Sequence, residues 1–283
     1  EKNVGILIDS LLSQDDFHRL IHEIIVVSSG STDKTNRIIQ KYVSKNKKIR
    51  LLRQSKRNGK ASAVNLFIEH AKRDILILVG ADLLLEKNTI KKLLAPLRRH
   101  HVGITGAHPI PVNNPKTFMG FIAHLQWQLH HEISLKKPKM GEMIAFRKIF
   151  KQIPSSSSVD EANIEPLIRG QGFKAVYCTN SIIHNKGPER VTEFIARRRH
   201  VYFGHIVTKH EYGYEVSTLK STTALISFFK IFKPSWRYVV YAPAAIFLEA
   251  IARVLGFLDY KLKLKTHTVW EVTPSSKNLA PSS

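Results

Sequence analysis

Through the first half of the chain, short apolar runs alternate with amphipathic ones. EIIVVSS (23–29), KIRLLRQ (48–54), DILILVG (74–80) and VGITGAHPI (102–110) read as strands, and TNRIIQKYV (35–43), ASAVNLFIEHA (61–71) and KNTIKKLLAPL (87–97) carry the helical period. Such alternation predicts an α/β fold of crossover units on a largely parallel sheet flanked by helices. The opening EKNVGILIDSLL begins with charges and passes into a helical spacing of Val4, Leu7, Ile8 and Leu11. No secretory signal is read there, and without an initiator methionine the true start is expected upstream.

The middle of the chain predicts a long aromatic helix, a turn and a strand ending at Ala145-Phe146-Arg147. A helix from about Asp160, a strand over 173–178 and the segment IIHNKGPE follow. From Ser221 onward TTALISFFKIF and WRYVVYAPAAIFLEAIARVLGFLDY are the most apolar stretches, followed by basic KLKLK. The second run has the length of a membrane span, but Glu249 and Arg253 interrupt it, each costing about 2.5–3.5 kcal/mol near a bilayer centre. Spaced i, i+4 they can pair. A helix lying in or packed against the membrane interface is favoured over a spanning one, with a buried soluble helix as the alternative. The expected organisation is a main domain over 1–210, an amphipathic, membrane-associated helical region over 211–265 and a flexible tail over 266–283.

In open α/β sheets ligands bind beyond the carboxyl ends of the strands. Three polar stretches fall there. In VVSSGSTDKT, with Ser28 and Asp33 at its flanks, the strand stops at Ser29, turns on Gly30 and begins a helix near Ser31 or Thr32. Its unpaired amides make either a cradle for phosphate or ribose, or only a turn and an N-cap. In RQSKRNGKASAVN, Asn58-Gly59 forms a turn, Lys60 opens a helix as a phosphate candidate in an otherwise solvated basic run, and Asn65 follows on the helix. In ILILVGADLLLE, Asp82 is placed to hold Mg²⁺ or Mn²⁺ against a diphosphate through oxygen contacts, or else to cap a turn.

These three stretches, in this order and spacing, resemble the family 2 inverting glycosyltransferases of the GT-A fold. The likeness extends over about residues 1 to 210 through GEMIAFR, with Gly141, VDEANIEPLIRGQGFK, IIHNKGPE and RRRHVYFGH. It implies a nucleotide-sugar donor contacted by Ser28, Ser29, Gly30, Ser31, Asp33, Asn58, Lys60, Asn65, Gly80, Ala81, Gly141 and Arg197 to Arg199 (Arg197, Arg198, Arg199). It also implies a metal held by Asp82 and His184, and a catalytic base at Glu161 with Asp160 beside it. The chain departs from the family pattern in several places. Ser29 replaces the base-binding aspartate and Gly80 the first metal aspartate. The Glu-Asp pair reads Asp160-Glu161, and Arg197-Arg198-Arg199-His200-Val201 replaces the processive Gln-x-x-Arg-Trp. The family's central first strand is expected to be missing, leaving the strand at 24–28 without a neighbour on one side. His184 is alternatively a strand-end histidine bonded to backbone, and the triple arginine equally a face for anionic lipid.

Composition then narrows the partners. The 283 residues are 43% apolar, enough for one large core and against global disorder. The formal charge of +22 favours an anionic partner. Nucleic acid is set aside, because no Cys/His finger, RNP-like motif or helix-turn-helix is found. The single cysteine, Cys178, excludes an internal disulfide and a cysteine-based zinc site, suits a reducing compartment and reads as packed in its strand rather than as a nucleophile. Trp127, His130 and His131 share one helix, either lining an acceptor site or packing in the core. The implied acceptor is a lipid-linked or cell-surface glycan, with the chain on the cytoplasmic face of the cell membrane. A non-catalytic binding protein on a degenerate scaffold, motivated by Ser29 and Gly80, is the competing reading.

Overall fold

A computed structural model describes residues 1–154, 160–213, 221–265, 267, 273–277 and 279; side chains at 160–162, 211–212 and 221–224 are outside this description. The N-terminal helical spacing forms α1 (Val4–Leu12), with Val4, Leu7, Ile8 and Leu11 all buried. After the short α2 (Phe17–Leu20), β1 (Ile24–Ser29), α3 (Thr35–Lys45) and β2 (Ile49–Gln54) make a right-sized crossover unit whose strands pair in parallel from Ile24↔Ile49 to Ser29↔Gln54. Then come α4 (Lys60–His70), β3 (Ile75–Val79), β4 (Leu84–Leu85), α5 (Thr89–Leu94), β5 (Val102–Pro111), α6 (Phe118–Lys136), β6 (Met143–Arg147), α7 (Asp160–Arg169) and β7 (Lys174–Asn185). Three helices close the fold: α8 (Val191–Tyr212), α9 (Ser221–Ile231) and α10 (Trp236–Leu262).

The strands divide into β1-β2 and a five-stranded sheet ordered β3-β6-β5-β7-β4. Among the described residues β1 has β2 as its one neighbour, and residues 1–10 hold α1 rather than a strand, as the sequence led us to expect. The larger sheet corrects the expectation of a largely parallel one. Only β5-β7 pairs in parallel there, while β3-β6, β5-β6 and β4-β7 are antiparallel. The reason is β6, which returns from the long helix α6 between β3 and β5 and runs against both. β7 also runs past Cys178 to Asn185, through a register shift between Gly106 and His108 of its partner, so the strand expected over 173–178 is longer.

Alternation along β6 shows how the core is divided. Met143 and Ala145 join Leu7, Leu11 and Leu93 on the face covered by α1 and α5. Ile144 and Phe146 join Val64, Ile68, Ile164 and Ile168 on the face covered by α4 and α7. A strand covered on both faces reads as a continuous apolar run, as this one does.

The amino ends of β1 and β3 are tied together: the Lys72 amide donates to Glu23 Oε1 at 3.0 Å, and Arg73 meets His22 at 3.0 Å. Between them lies a cavity of about 600 Å³ lined by Ile21, Lys48, Ile75, Ile77 and Leu97. It is at the opposite end from the carboxyl-edge turns and is no part of the candidate site.

At the C-terminus, α10 packs on α8 through small residues. A Cβ on Gly256 would stand 2.8 Å from the Arg199 carbonyl oxygen, so the helices approach closely there. Glu249 and Arg253 do pair, at 2.8 Å, and both turn inward to the protein. Burial alone would raise the Glu249 carboxyl, but Arg198 and Arg253 overrule it and hold it at about 2. The outward face therefore carries Trp236, Val239, Val240, Ile246, Phe247 and Val254, all more than half exposed. Among the described residues α10 alone is long and apolar enough to cross a membrane.

Candidate functional site

The turn after β1 needs Gly30. Its φ of +62° lies in the left-handed region, and a Cβ there would meet the Arg57 amide nitrogen at 2.7 Å. This close approach brings the first two polar stretches together, backbone against backbone. The Ser28 hydroxyl meets that of Ser31 at 2.9 Å, and Asp33 Oδ1 accepts from the Thr35 amide at 3.1 Å, two residues on, where α3 begins. Gly59 turns with φ +85° ahead of α4, which opens at Lys60 as expected.

Ser29 and Gln54 are directly opposite in the β1-β2 register. Both are at the carboxyl ends of their strands, and Ser29 Oγ and Gln54 Oε1 are each buried without a hydrogen-bond partner. A buried polar atom left unpaired costs about 1–3 kcal/mol, so two side by side mark a place where a ligand's polar groups belong. Gln54 was not among the expected site residues; its strand-end position opposite Ser29 becomes visible only with the register.

Asp82 follows β3 in the turn containing Gly80 and Ala81. Its carboxylate accepts from the ammonium of Lys277, a residue of the expected flexible tail. That tail is packed where it is described: Leu279 and Ser276 are each 3% exposed. The Glu189 amide donates to the Ser275 hydroxyl at 2.9 Å, and Ser275 in turn donates to Glu193. The Leu279 amide reaches Asn3 at 3.4 Å, and Glu1 of the same segment accepts from the Lys34 amide at 2.9 Å. The described tail residues thus touch both the N-terminal segment beside the Asp33 turn and the Asp82 turn.

Glu142, next to Gly141, gathers the far side. It accepts from Arg197 at 2.7 Å and from Asn185 at 2.8 Å, and its carbonyl accepts from the Gly80 amide at 3.4 Å. Arg197 is thereby held beside the Asp82 turn. Arg198 and Arg199 are not brought there. Their guanidinium groups fork onto Glu249 and Asp259 of α10, because on a helix only one of three consecutive residues faces a given side. Asn65 is likewise turned away from the turns: it clamps the Ile153 backbone in both directions, at 2.9 and 2.8 Å, and so fixes the chain that leads toward α7. Asn58 lies in the loop before Gly59. Asp160 and Glu161 open α7, and their side chains lie outside the described residues.

A divalent ion needs several oxygen or nitrogen donors converging on one point. Among the described residues no three His, Cys, Asp or Glu side chains converge. Asp82 is the one carboxylate of its turn and is taken by Lys277, and His184 directs Nε2 to Glu86 at 3.3 Å. As arranged, these side chains do not fit a bound ion. The helix histidines belong to the core: His130 is buried against Trp127 and Tyr177, and His131 bonds the Tyr177 hydroxyl at 3.0 Å. Cys178 is packed, and burial pushes its thiol up to about 11, which suppresses the thiolate.

Comparison with known proteins agrees with this architecture. A mannosyltransferase from Pyrobaculum calidifontis, solved in complex with GDP-Man and Mn²⁺, shares the fold with a TM-score of 0.66 at 18% identity, over 94% of this chain and 85% of that one. A dolichyl-phosphate beta-glucosyltransferase of Trichomonas vaginalis is 43% identical over 60 residues, 21% of this chain. The poly(ribitol-phosphate) beta-N-acetylglucosaminyltransferase TarS of Staphylococcus aureus is 32% identical over 102 residues, 36% of this chain. The matched segments span 18% of the length of each of these two relatives. The model of glycosyl transferase family 2 matches residues 1–155, more than half of the sequence, and the chain belongs to that family, with its GT-A fold.

Proposed function

We propose that this chain transfers a sugar, with inversion, from a UDP- or GDP-linked donor to a hydroxyl of a lipid-linked or cell-surface glycan acceptor. The observation that carries the reading is that Ser29 Oγ and Gln54 Oε1, at the carboxyl ends of β1 and β2 beside the Gly30 turn, are buried without a partner, while the Gln54 amide nitrogen is held by Ser62. A nucleoside supplies the polar edge that such a couple lacks, and the turn amides suit its phosphates. In the transfer, the acceptor oxygen forms a bond to the anomeric carbon while the bond from that carbon to the diphosphate oxygen breaks. The electron pair leaves with the diphosphate, and the acceptor proton passes to a carboxylate, for which Glu161 with neighbouring Asp160 is the candidate. A single displacement of this kind inverts the anomeric centre. Arg197, held beside the Asp82 turn by Glu142, is the candidate cation for the departing diphosphate.

The outward face of α9 and α10, with Leu225, Ile226, Phe229 and Phe247 exposed, supports seating at a membrane surface. Basic residues after α10 and the reduced Cys178 favour its cytoplasmic side. Screening nucleotide sugars for release of UDP or GDP tests the transfer. Glu161→Gln is expected to lower turnover by about 10²–10⁴-fold while nucleotide binding persists. Nucleotide binding with no turnover for any donor in the unaltered chain would favour the non-catalytic scaffold instead.

A further inference from the structure

We infer that Lys277 is the cation that holds the donor's diphosphate at the Asp82 turn, standing where a divalent ion would sit, so that donor binding by this chain requires no metal. The inference rests on the donor reading above. Three observations carry it. Gly80 and Ala81 offer no side-chain ligand, so Asp82 is the one carboxylate of this turn. The remaining carboxylate already has a cation on it, the Lys277 ammonium. That ammonium is delivered by a built structure: Leu279 and Ser276 are buried on either side of it, and Ser275 ties the segment to Glu189 and Glu193.

An ammonium has three donors, and the Lys277 side chain is 40% exposed, so it can grip Asp82 and still turn donors to phosphate oxygens. Its charge is compact and its stem flexible, which suits a point contact with phosphate. Arg197, fixed by Glu142, stands on the other side of Gly80 and supplies a second positive group. Each of these cations is paired with a carboxylate, so the pairs alone are neutral. The excess that draws in a diphosphate comes from the surplus of basic residues, with a formal net charge of +22. Asp82 on this view positions an ammonium, and a divalent ion competes with Lys277 for it.

The test is titration calorimetry of the full chain with UDP and with GDP, in EDTA and in Mn²⁺, for the unaltered protein, Lys277→Met and Lys277→Arg, with circular dichroism as a check on folding. The unaltered chain is expected to bind one nucleotide in EDTA. Lys277→Met is expected to weaken that binding by about tenfold or more, roughly 1.4 kcal/mol, and Lys277→Arg by much less. Mn²⁺ is expected to restore Lys277→Met, because the substitution vacates Asp82. Binding by Lys277→Met as tight as the unaltered chain overturns the inference, and tighter binding reveals the tail as a plug. Binding by the unaltered chain only when Mn²⁺ is present overturns it while leaving the donor reading intact. A folded chain that binds neither nucleotide under any of these conditions sinks the donor reading, and this inference with it.

Discussion

In the two-stranded sheet Ile24, Ile25, Val26 and Val27 are all half-buried, whereas in the five-stranded sheet Met143, Ile144, Ala145 and Phe146 are at most 1% exposed. Both runs are apolar, so the difference comes from their neighbours. β6 has β3 and β5 on its two sides and helices over both faces; β1 has β2 alone. The contrast separates two jobs. The larger sheet holds the molecule together, and the smaller one carries the turn at Gly30 and the partnerless Ser29 Oγ and Gln54 Oε1 at its edge. Sites are often built where stability is locally low, since a ligand can then supply what the protein leaves unsatisfied.

The largest expected effect is in the larger sheet. Phe146 is fully buried and stacks on Phe150 at 5.7 Å, so Phe146→Ala is expected to cost about 3–5 kcal/mol in urea unfolding. Val26→Ala, its counterpart in β1, removes less buried surface and is expected to cost less than about 1.5 kcal/mol. Equal losses would break the comparison.

Gly30→Ala sharpens it from the other side. The smaller sheet is loosely covered, yet its turn is backbone against backbone, with the added Cβ 2.7 Å from the Arg57 nitrogen at a φ of +62°. A cost of about 1–3 kcal/mol is expected, with a larger proportional loss of nucleotide affinity, because the Arg57 loop has to shift. Unchanged affinity would show that this turn is structural and takes no part in donor binding.

Much of this division was legible in the sequence. The i, i+3, i+4, i+7 spacing gave α1, and the alternation of apolar and amphipathic runs gave β1-α3-β2 and both glycine turns. What was not legible depended on distant partners. The inward rotation of Glu249 and Arg253 is set by Arg198, some fifty residues away in sequence, so the two charges that interrupt the apolar run are kept off its exposed face. The docking of Lys277 on Asp82 links residues 195 apart in sequence, and nothing in the composition of a Ser- and Pro-rich tail announces it. The antiparallel course of β6 was hidden for a similar reason, because periodicity reports which faces are buried and is silent on strand direction.

Acid is expected to act on the region packed around α6 and α8. His130 and His205 are buried there, and burial first, then the Lys139 charge, holds each imidazole well below its ordinary value. Folding thus keeps them neutral while the unfolded chain protonates them below pH of about 6.5. The unfolded state then binds more protons, so stability is full above that pH and falls as pH is lowered through it toward the folded values. Thermal unfolding should show a plateau near neutrality and a decline on acidification. A melting temperature that rises between neutral and mildly acid pH would contradict the burial of these rings.

The smallest effect tests the border between the two sheets. Along β3, Ile75 is 38% exposed at the edge of the cavity, and Leu76 beside it is 4% exposed in the core. Successive strand residues face opposite ways, so the same substitution at the two positions samples the two environments with the backbone held constant. Ile75→Thr is expected to change stability by no more than about 0.5 kcal/mol, the range of surface changes. Leu76→Thr places a hydroxyl and a void in the core and is expected to cost about 2–5 kcal/mol. If Ile75→Thr proved as costly as Leu76→Thr, the edge of β3 facing β1 would have to be covered in solution. The weakness assigned to the smaller sheet would then lie in β1 and β2 themselves and not in the unpaired edge of β1.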